Sequence, residues 1–492
     1  MSSYHHIAVD LGAESGRVML GSLADGKLTL EEVHRFPNGP LRFQGTLRWD
    51  MPRLWEDVKA GLRKVAQRSL PVASVSVDSW GVDYVLMSKG EPMLRMPFCY
   101  RDLRTEKPYA EIAGPHSDTI YAETGSQFMA INTLYQLAAE KRYAPELFAH
   151  AERFLMVGDW FHFLLSGRAL QEESNASTTQ AWNPVTRSWS EKVITLAGLP
   201  RNIFPEVVPP CTRLGTLTAQ VQAETGLGAI EVVAGCVHDT AAAVAAVPAE
   251  GDGWAYISSG TWSLAGLELP SPLISVAGRA ENFTNETGVG ATSRFLRNAS
   301  GLWILQECRR AWANEGREFD YSELTALAAA AEPFRSHVNP MDNSFLRPEN
   351  MPSAVRDFCR ATGQPEPESP GQIARCALES LACLYAKLME QMEMVTGRKL
   401  HTLHIVGGGS KNALLNQMTA DAINRPVVAG PVEATAIGNV LLQALTLGEI
   451  ASHAELRRIV KASFPVETFK PRTAERWRAA HERFAKLTQG GR

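Results

Sequence analysis

At 492 residues the chain exceeds what one ordinary hydrophobic core accommodates, so two domains of about 200–250 residues each are expected. Its 45% hydrophobic and 21% charged residues are those of a soluble globular protein, and a formal net charge of -4 argues against nucleic acid or an anionic membrane surface as partner. No apolar run approaches the ~18 residues that span a bilayer, and residues 1–6 lack the basic-then-apolar pattern of a secretory signal, so a cytoplasmic location is expected.

Three strands are predicted first, over residues 7–11, 17–23 and 27–36, the first two joined by the turn Gly12-Ala13-Glu14-Ser15-Gly16. A helix follows, opened by Asp50 and carrying Leu54, Val58, Leu62 and Val65 at helical spacing. Short strands are predicted at 72–77 and 82–87, separated by Asp78-Ser79-Trp80-Gly81, which completes a βββαβ order. Residues from about 105 to 230 read as mainly helical with little strand character, an elaboration covering a cleft. The Gly- and acid-rich segment 247–253 is the best hinge candidate. Beyond it the order repeats: a hairpin at 254–258 and 263–269, a strand at 294–297, a helix from near Ser300, a long helix over 372–395, the strand 403–406 leading into Gly407-Gly408-Gly409, and helices over 412–423 and 434–447. This divides the chain into 1–246, the hinge 247–253, and 254–492 with a C-terminal helical tail.

The two hairpin turns, Gly12 to Gly16 and Ser258-Ser259-Gly260-Thr261, carry most of the functional information. Glycine permits close backbone approach to an anion, and turn amides with Ser or Thr hydroxyls donate to phosphate oxygens. Two such turns at corresponding places read as two halves of a nucleotide clamp. Asp10, at the end of the first strand, suits a magnesium ion directly or through water, or else bonds to local turn amides. Arg17 is either a solvated strand charge or a phosphate contact.

His238-Asp239-Thr240 joins an apolar strand to a small-residue helix, where α/β folds place reactive groups. Asp239 reads equally as a helix N-cap or as a carboxylate that accepts a hydroxyl proton opposite a γ-phosphate. Gly407 to Gly409 gives room for a flat adenine or ribose, or forms a plain helix-entry turn; neither the GxGxxG nor the GxxxxGK[ST] pattern occurs. Asn298 and Gln306 are polar groups able to reach a ligand or to lie on the surface. Trp80-Gly81-Val82-Asp83 and Tyr100-Arg101-Asp102 combine an aromatic face with polar partners, as a sugar requires, or supply a core tryptophan and a surface ion pair. The seven cysteines form no Cys-x-x-Cys or zinc-like spacing. Cys359 and Cys376 flank one loop and can meet across it, although a reducing cytosol disfavours a disulfide.

Residues 10–17, 77–83, His238-Asp239-Thr240, 258–262 and Gly407-Gly408-Gly409, in that order, resemble the FGGY carbohydrate kinases over nearly the whole chain. Finer matches lie at Cys99-Tyr100-Arg101-Asp102, 132–137, 175–180, 403–409 and 430–434. Ala13 stands where many members have Thr, and the Lys and Trp that others carry after the Asn132-Thr133 region are missing. The resemblance implies an α/β fold of two actin-like, ribonuclease H-like domains with an interdomain ATP and sugar cleft. It implies that Ala13, Glu14, Ser15, Gly16 and Arg17 line the ATP phosphates, and that Thr261, Gln306 and Gly408 contact the nucleotide. It places Gly81, His238, Asp239, Thr240 and Asn298 against the sugar, with Asp239 as proton acceptor and Mg2+ near Asp10 through water. The implied partners are ATP and a small ketose; a monomer or weak homo-oligomer is the expected assembly. A polyol as acceptor, or an actin-like ATP-driven binding protein built on the same clamp, are the alternatives.

Overall fold

The computed structural model describes residues 4–93 and 96–488; residues 1–3, where the reading for a signal begins, lie outside the described residues. By packing the chain forms two units, Met1–Pro248 with Glu268–Leu296 and Ala434–Phe464, and Ala249–Leu267 with Arg297–Glu433 and Pro465–Arg492. The 247–253 segment therefore contains one of several places where the chain passes from one unit to the other. No helix among the described residues is long and apolar enough to cross a membrane.

In the first unit, strands Tyr4–Leu11, Ser15–Ala24 and Lys27–Pro37 form consecutive antiparallel pairs, and Val72–Ser79 pairs parallel to the first of them. Glu231–Ala234 and Thr212–Thr216 extend that edge to six strands. The first strand is buried at seven of its eight positions, the polar His5, His6 and Asp10 among them, so both of its faces are covered. Helix Met51–Ala66 starts at Asp50, whose carboxylate accepts from the Arg53 N–H at 3.3 Å, and it buries Leu54, Val58, Leu62 and Val65. Gly61 lets this helix close on the sheet, because a Cβ there would lie 2.3 Å from Val18 Cγ2.

Two expectations are corrected here. The predicted strand at 82–87 is Tyr84–Ser88, and it pairs with Arg153–Met156 in a separate three-stranded sheet. The 105–230 region has the expected helices, among them Glu106–Thr124, Thr133–Tyr143 and Val157–Ser166, but also strands at Arg153–Met156 and Thr212–Thr216. Strands of four or five residues are too short to show a period against the surrounding apolar background. This region has its own core, in which Phe154, Trp189 and Phe204 meet edge to face at 5.2–5.9 Å.

The second unit contains a sheet ordered Trp262–Leu269, Trp254–Ser259, Thr402–Val406, Val427–Ala429, Glu467–Phe469. Behind it runs Pro370–Thr396, opened by a Ser369/Gln372 capping box and closed by Gly397 at φ 67°. Its heptad-spaced Cys376 and Cys383 are buried, as their spacing suggests, and all seven cysteines are free thiols.

Candidate active site

The parallel strands of the first unit deliver polar residues to one edge of the sheet, the carboxyl edge where α/β folds bind ligands. Asp10 and Asp78 are register partners on adjacent strands. The backbone then continues the alignment: Trp80 N–H donates to Leu11 O at 3.2 Å, Ser79 N–H donates to Val237 O at 2.8 Å, and Ser79 bridges His238 in parallel register. Asp10, the Ser79-Trp80-Gly81 turn and His238-Asp239 are therefore neighbours because three strands end together.

Asp10 is buried and ion-paired with Arg17, its register partner across the hairpin. Arg17 is thus neither simply solvated nor committed only to a ligand. The phosphate-type turn is pinned from outside by Asn38, whose Nδ2 donates to Gly12 O at 2.7 Å and whose N–H donates to Glu14 O at 3.0 Å. Gly16 serves packing, since a Cβ there would overlap the Phe36 ring at 2.1 Å. Asp78 is fully buried; Asn439 Nδ2 donates to its Oδ2 at 2.6 Å while Oδ1 has no partner. Burial and the adjacent Asp10 push its carboxyl well above the ordinary range. Among the described residues no group of three acids, His or Cys is arranged to hold a metal directly. Asp10 itself supplies a hard carboxylate oxygen donor, the kind that Mg2+ takes directly or through water.

The helix Asp239–Ala245 begins at Asp239, and His238 occupies the N-cap position without a side-chain cap bond. The N-cap reading of Asp239 is corrected accordingly: its Oδ1 accepts from the next residue, Thr240 N–H at 2.5 Å and Thr240 Oγ1 at 3.1 Å. The Asp239 side chain stays 30% exposed. Burial raises its carboxyl above the usual range, His238 opposes that rise and Asp10 adds to it. Thr240 faces Asp239 and is itself buried. The segment before the helix is held by Glu172, whose carboxylate accepts from Val237 N–H at 3.0 Å, and by Ser174 Oγ, which accepts from His238 N–H at 3.1 Å. The helix also needs Gly438, because a Cβ there would lie 1.9 Å from Ala242 O.

Gly81 is half-buried, and a Cβ on it would meet Thr178 Oγ1 at 3.1 Å. The next residue, Val82, has φ 66°, a conformation β-branched residues seldom adopt. It is held there by Thr178 Oγ1, which accepts from its N–H at 3.3 Å, and by Thr133 Oγ1 and Gln136 Nε2, which donate to its carbonyl at 2.7 and 3.1 Å. Trp80 does not offer a free aromatic face. It is buried against Trp49 at 4.3 Å, and both indoles donate to Asp83 Oδ2, at 3.0 and 2.6 Å. Asp83 also accepts from Tyr100 N–H and Gln136, and burial pushes its carboxyl up to about 6. Tyr100 is buried, and Asp102 caps Leu103–Thr105, so these two residues of the second aromatic-polar segment serve the fold.

In the second unit, Gly260 and Thr261 form the hairpin turn and receive the loop that follows strand Ser293–Ser300: Leu302 N–H donates to Gly260 O at 3.0 Å and Gly301 N–H to Thr261 O at 3.1 Å. Gly301 is needed for that approach, as a Cβ would lie 2.6 Å from Gly260 O. Asn298, half-buried, lies on this strand, and Gln306 lies on the following helix Trp303–Asn314 with its buried Oε1 unpartnered. The three glycines divide in role. Gly407 (φ 84°) and Gly409 pack on Ser259, to which added Cβ atoms would come within 2.9 and 2.0 Å, whereas Gly408 is exposed with open space above it.

Sequence reasoning missed Asn38, Thr178, Glu172, Ser174 and Gly438. Asn38 carried a local signal, the turn dipeptide Asn38-Gly39, and Thr178 lay within the 175–180 match without a role; the others carried none.

The family model for the FGGY family of carbohydrate kinases, N-terminal domain, matches residues 5–246, and that for the C-terminal domain matches residues 255–447. A rhamnulokinase of Bacteroides thetaiotaomicron is 45% identical over 97% of this chain and 98% of its own. Rhamnulokinases of Enterococcus faecalis and Bacillus subtilis are 40% and 38% identical, covering 94% and 96% of both chains. Among solved structures, a ligand-bound xylulose kinase from Lactobacillus acidophilus superposes with a TM-score of 0.80 at 14% identity, covering 98% of this chain and 96% of that one. Plasmodium falciparum glycerol kinase with ADP gives 0.76 at 16% identity, covering 98% of each. The chain belongs to the FGGY family of carbohydrate kinases, with the two-domain α/β fold of those enzymes.

Proposed function

We propose that this carbohydrate kinase transfers the γ-phosphoryl group of ATP to a hydroxyl of L-rhamnulose, giving L-rhamnulose 1-phosphate and ADP. The full-length relatives named rhamnulokinase support the sugar. The observation that carries the chemistry is Asp239: a partly exposed carboxylate of raised basicity, held at the carboxyl edge of the sheet beside Ser79 to Gly81. In this reading Asp239 accepts the proton of the attacking hydroxyl. Gly81, His238, Thr240 and Asn298 hold the sugar; Ala13, Glu14, Ser15, Gly16 and Arg17 meet the phosphates; Thr261, Gln306 and Gly408 contact the nucleotide. Residues 1–246 and 254–492 act as the two functional halves, with 247–253 as hinge.

Phosphoryl transfer depends chiefly on alignment and on neutralising charge. Asp10 would orient Mg2+ through water, and the ion when bound supplies charge neutralisation at the phosphates. Arg17 holds the Asp10 carboxylate in place through their ion pair. Gly81 leaves room for the sugar beside Thr178, and the fixed Val82 backbone sets the shape of that wall.

The test is ADP release with Mg-ATP and a panel of ketoses and polyols. L-Rhamnulose is expected to give the highest kcat/KM; a higher value for fuculose or xylulose would reassign the substrate, and no sugar-dependent release at all would remove the reading.

A further inference from the structure

The hairpin formed by Thr284–Thr287 and Ser293–Ser300 places Glu286 and Arg294 directly opposite each other. Both are buried, Arg294 completely, and they form an ion pair at 3.0 Å. Thr287 ties the hairpin to the segment carrying Thr178, its N–H donating to Ser177 Oγ at 3.0 Å, and Arg294 Nε donates to Thr287 O at 3.2 Å. The guanidinium is thereby fixed in direction. Its Nη2 lies 3.2 Å from His238 Nδ1.

A guanidinium has donors only, so Nδ1 must be the acceptor in this bond, and a neutral imidazole that accepts at Nδ1 carries its proton at Nε2. Nε2 lies 3.5 Å from Asp239 Oδ1. Glu286 Oε2 is 3.4 Å from Nδ1, without hydrogen-bond geometry, and would claim an Nδ1–H if Arg294 were absent. The two hairpin residues thus compete for one ring nitrogen, and Arg294 holds it.

We propose that Arg294 is a positioning residue that fixes His238 as the Nε2–H tautomer, so that beside the Asp239 carboxylate the enzyme presents a donor selecting a sugar oxygen as acceptor. This rests on the assignment of His238 and Asp239 to the sugar side. Without Arg294, Glu286 draws the proton to Nδ1, and a lone pair then faces both Asp239 and the sugar.

The first test uses the wild-type enzyme labelled with 15N-histidine, its His238 signals assigned by their loss in His238→Gln. Nε2 is expected to be protonated and Nδ1 not; the reverse tautomer overturns the proposal without any Arg294 variant having to fold. Kinetically, Arg294→Met should raise KM for L-rhamnulose about 10-fold, the scale of one hydrogen bond, while KM for ATP stays within about 2-fold. Arg294→Lys should fall between the two. An unchanged sugar KM in Arg294→Met, beside a raised one in His238→Gln, overturns the role of Arg294. An unchanged sugar KM in His238→Gln instead overturns the placement of His238 against the sugar.

Discussion

Asn439 donates its side-chain amide to Asp78 Oδ2 at 2.6 Å, across 361 residues of sequence. This bond ends a buried chain whose direction is determined. Gln443 Nε2 donates to Ile7 O at 3.0 Å, which fixes the orientation of that amide. Gln443 therefore donates to Asn439 Oδ1 at 2.8 Å and accepts from Ser74 Oγ at 2.6 Å. Ser74, its hydrogen spent, accepts from His6 Nδ1 at 2.8 Å, and His6 Nε2 faces Glu449 at 2.7 Å. Four buried side chains, Asn439, Gln443, Ser74 and His6, thus link Asp78 at its strand end to the part-buried Glu449.

Asn439→Leu removes the last donor and leaves a buried carboxyl without a partner on either oxygen. A loss of about 1–3 kcal/mol is expected for such an orphaned group. Urea unfolding followed by circular dichroism measures it, and a midpoint equal to the wild type would show that Asp78 finds another donor.

Asp239→Asn should leave sugar and nucleotide affinity nearly intact and lower kcat at least ~10²-fold, the scale of a positioned general base. The asparagine preserves the acceptor for Thr240 N–H and Oγ1, so the helix start survives. Calorimetric affinities and steady-state turnover of a folded variant decide the matter. Near-normal kcat would leave Asp239 only its bonds to Thr240.

Strand ends, hairpin turns and the Asp239 segment were legible in the sequence because each is local: a few consecutive residues fix the turn and its polar cargo. What was not legible depends on partners far along the chain. Trp80 and Asp83 read equally as sugar-facing residues or as a core tryptophan and a surface charge, and only Trp49, Gln136 and Tyr100 N–H, which consume that carboxylate and bury the indole, decide between them. Glu286 and Arg294 carry no local signal, and only register places them opposite each other behind His238. Gly438 lies in a plain apolar helix, and only the carbonyl of Ala242 reveals why no larger residue fits.

The glycine run separates binding from packing by substitution. Gly408→Ala adds a methyl group to open space, so the fold should be unaffected while KM for ATP rises if the nucleotide lies against it. Gly409→Ala instead drives a Cβ into Ser259, and overpacking of this kind costs about 1–3 kcal/mol. Thermal melts and ATP kinetics of the two variants should therefore move in opposite columns. A Gly408→Ala enzyme with normal KM for ATP would remove Gly408 from the nucleotide site.

The pH dependence of stability has a sign set by Glu172. Burial pushes its carboxyl from an ordinary 4.5 up to about 7, against the opposing bonds from Ser174 Oγ and N–H and from Val237 N–H. The folded state therefore holds this proton where the unfolded chain has released it. Its contribution is fully present below about pH 4.5 and is lost as pH rises through about 7. Asp83, raised to about 6 by burial, acts in the same direction over a lower window. Glu172→Gln cannot titrate, so between pH 4.5 and 8 the wild type should lose about 3 kcal/mol more stability than the variant. Because Glu172 holds Val237 and Ser174 holds His238, the same titration acts on the segment that carries Asp239. Urea midpoints at half-unit pH intervals for both proteins give the difference directly, and parallel curves would show that Glu172 is ionised in the folded enzyme throughout this range.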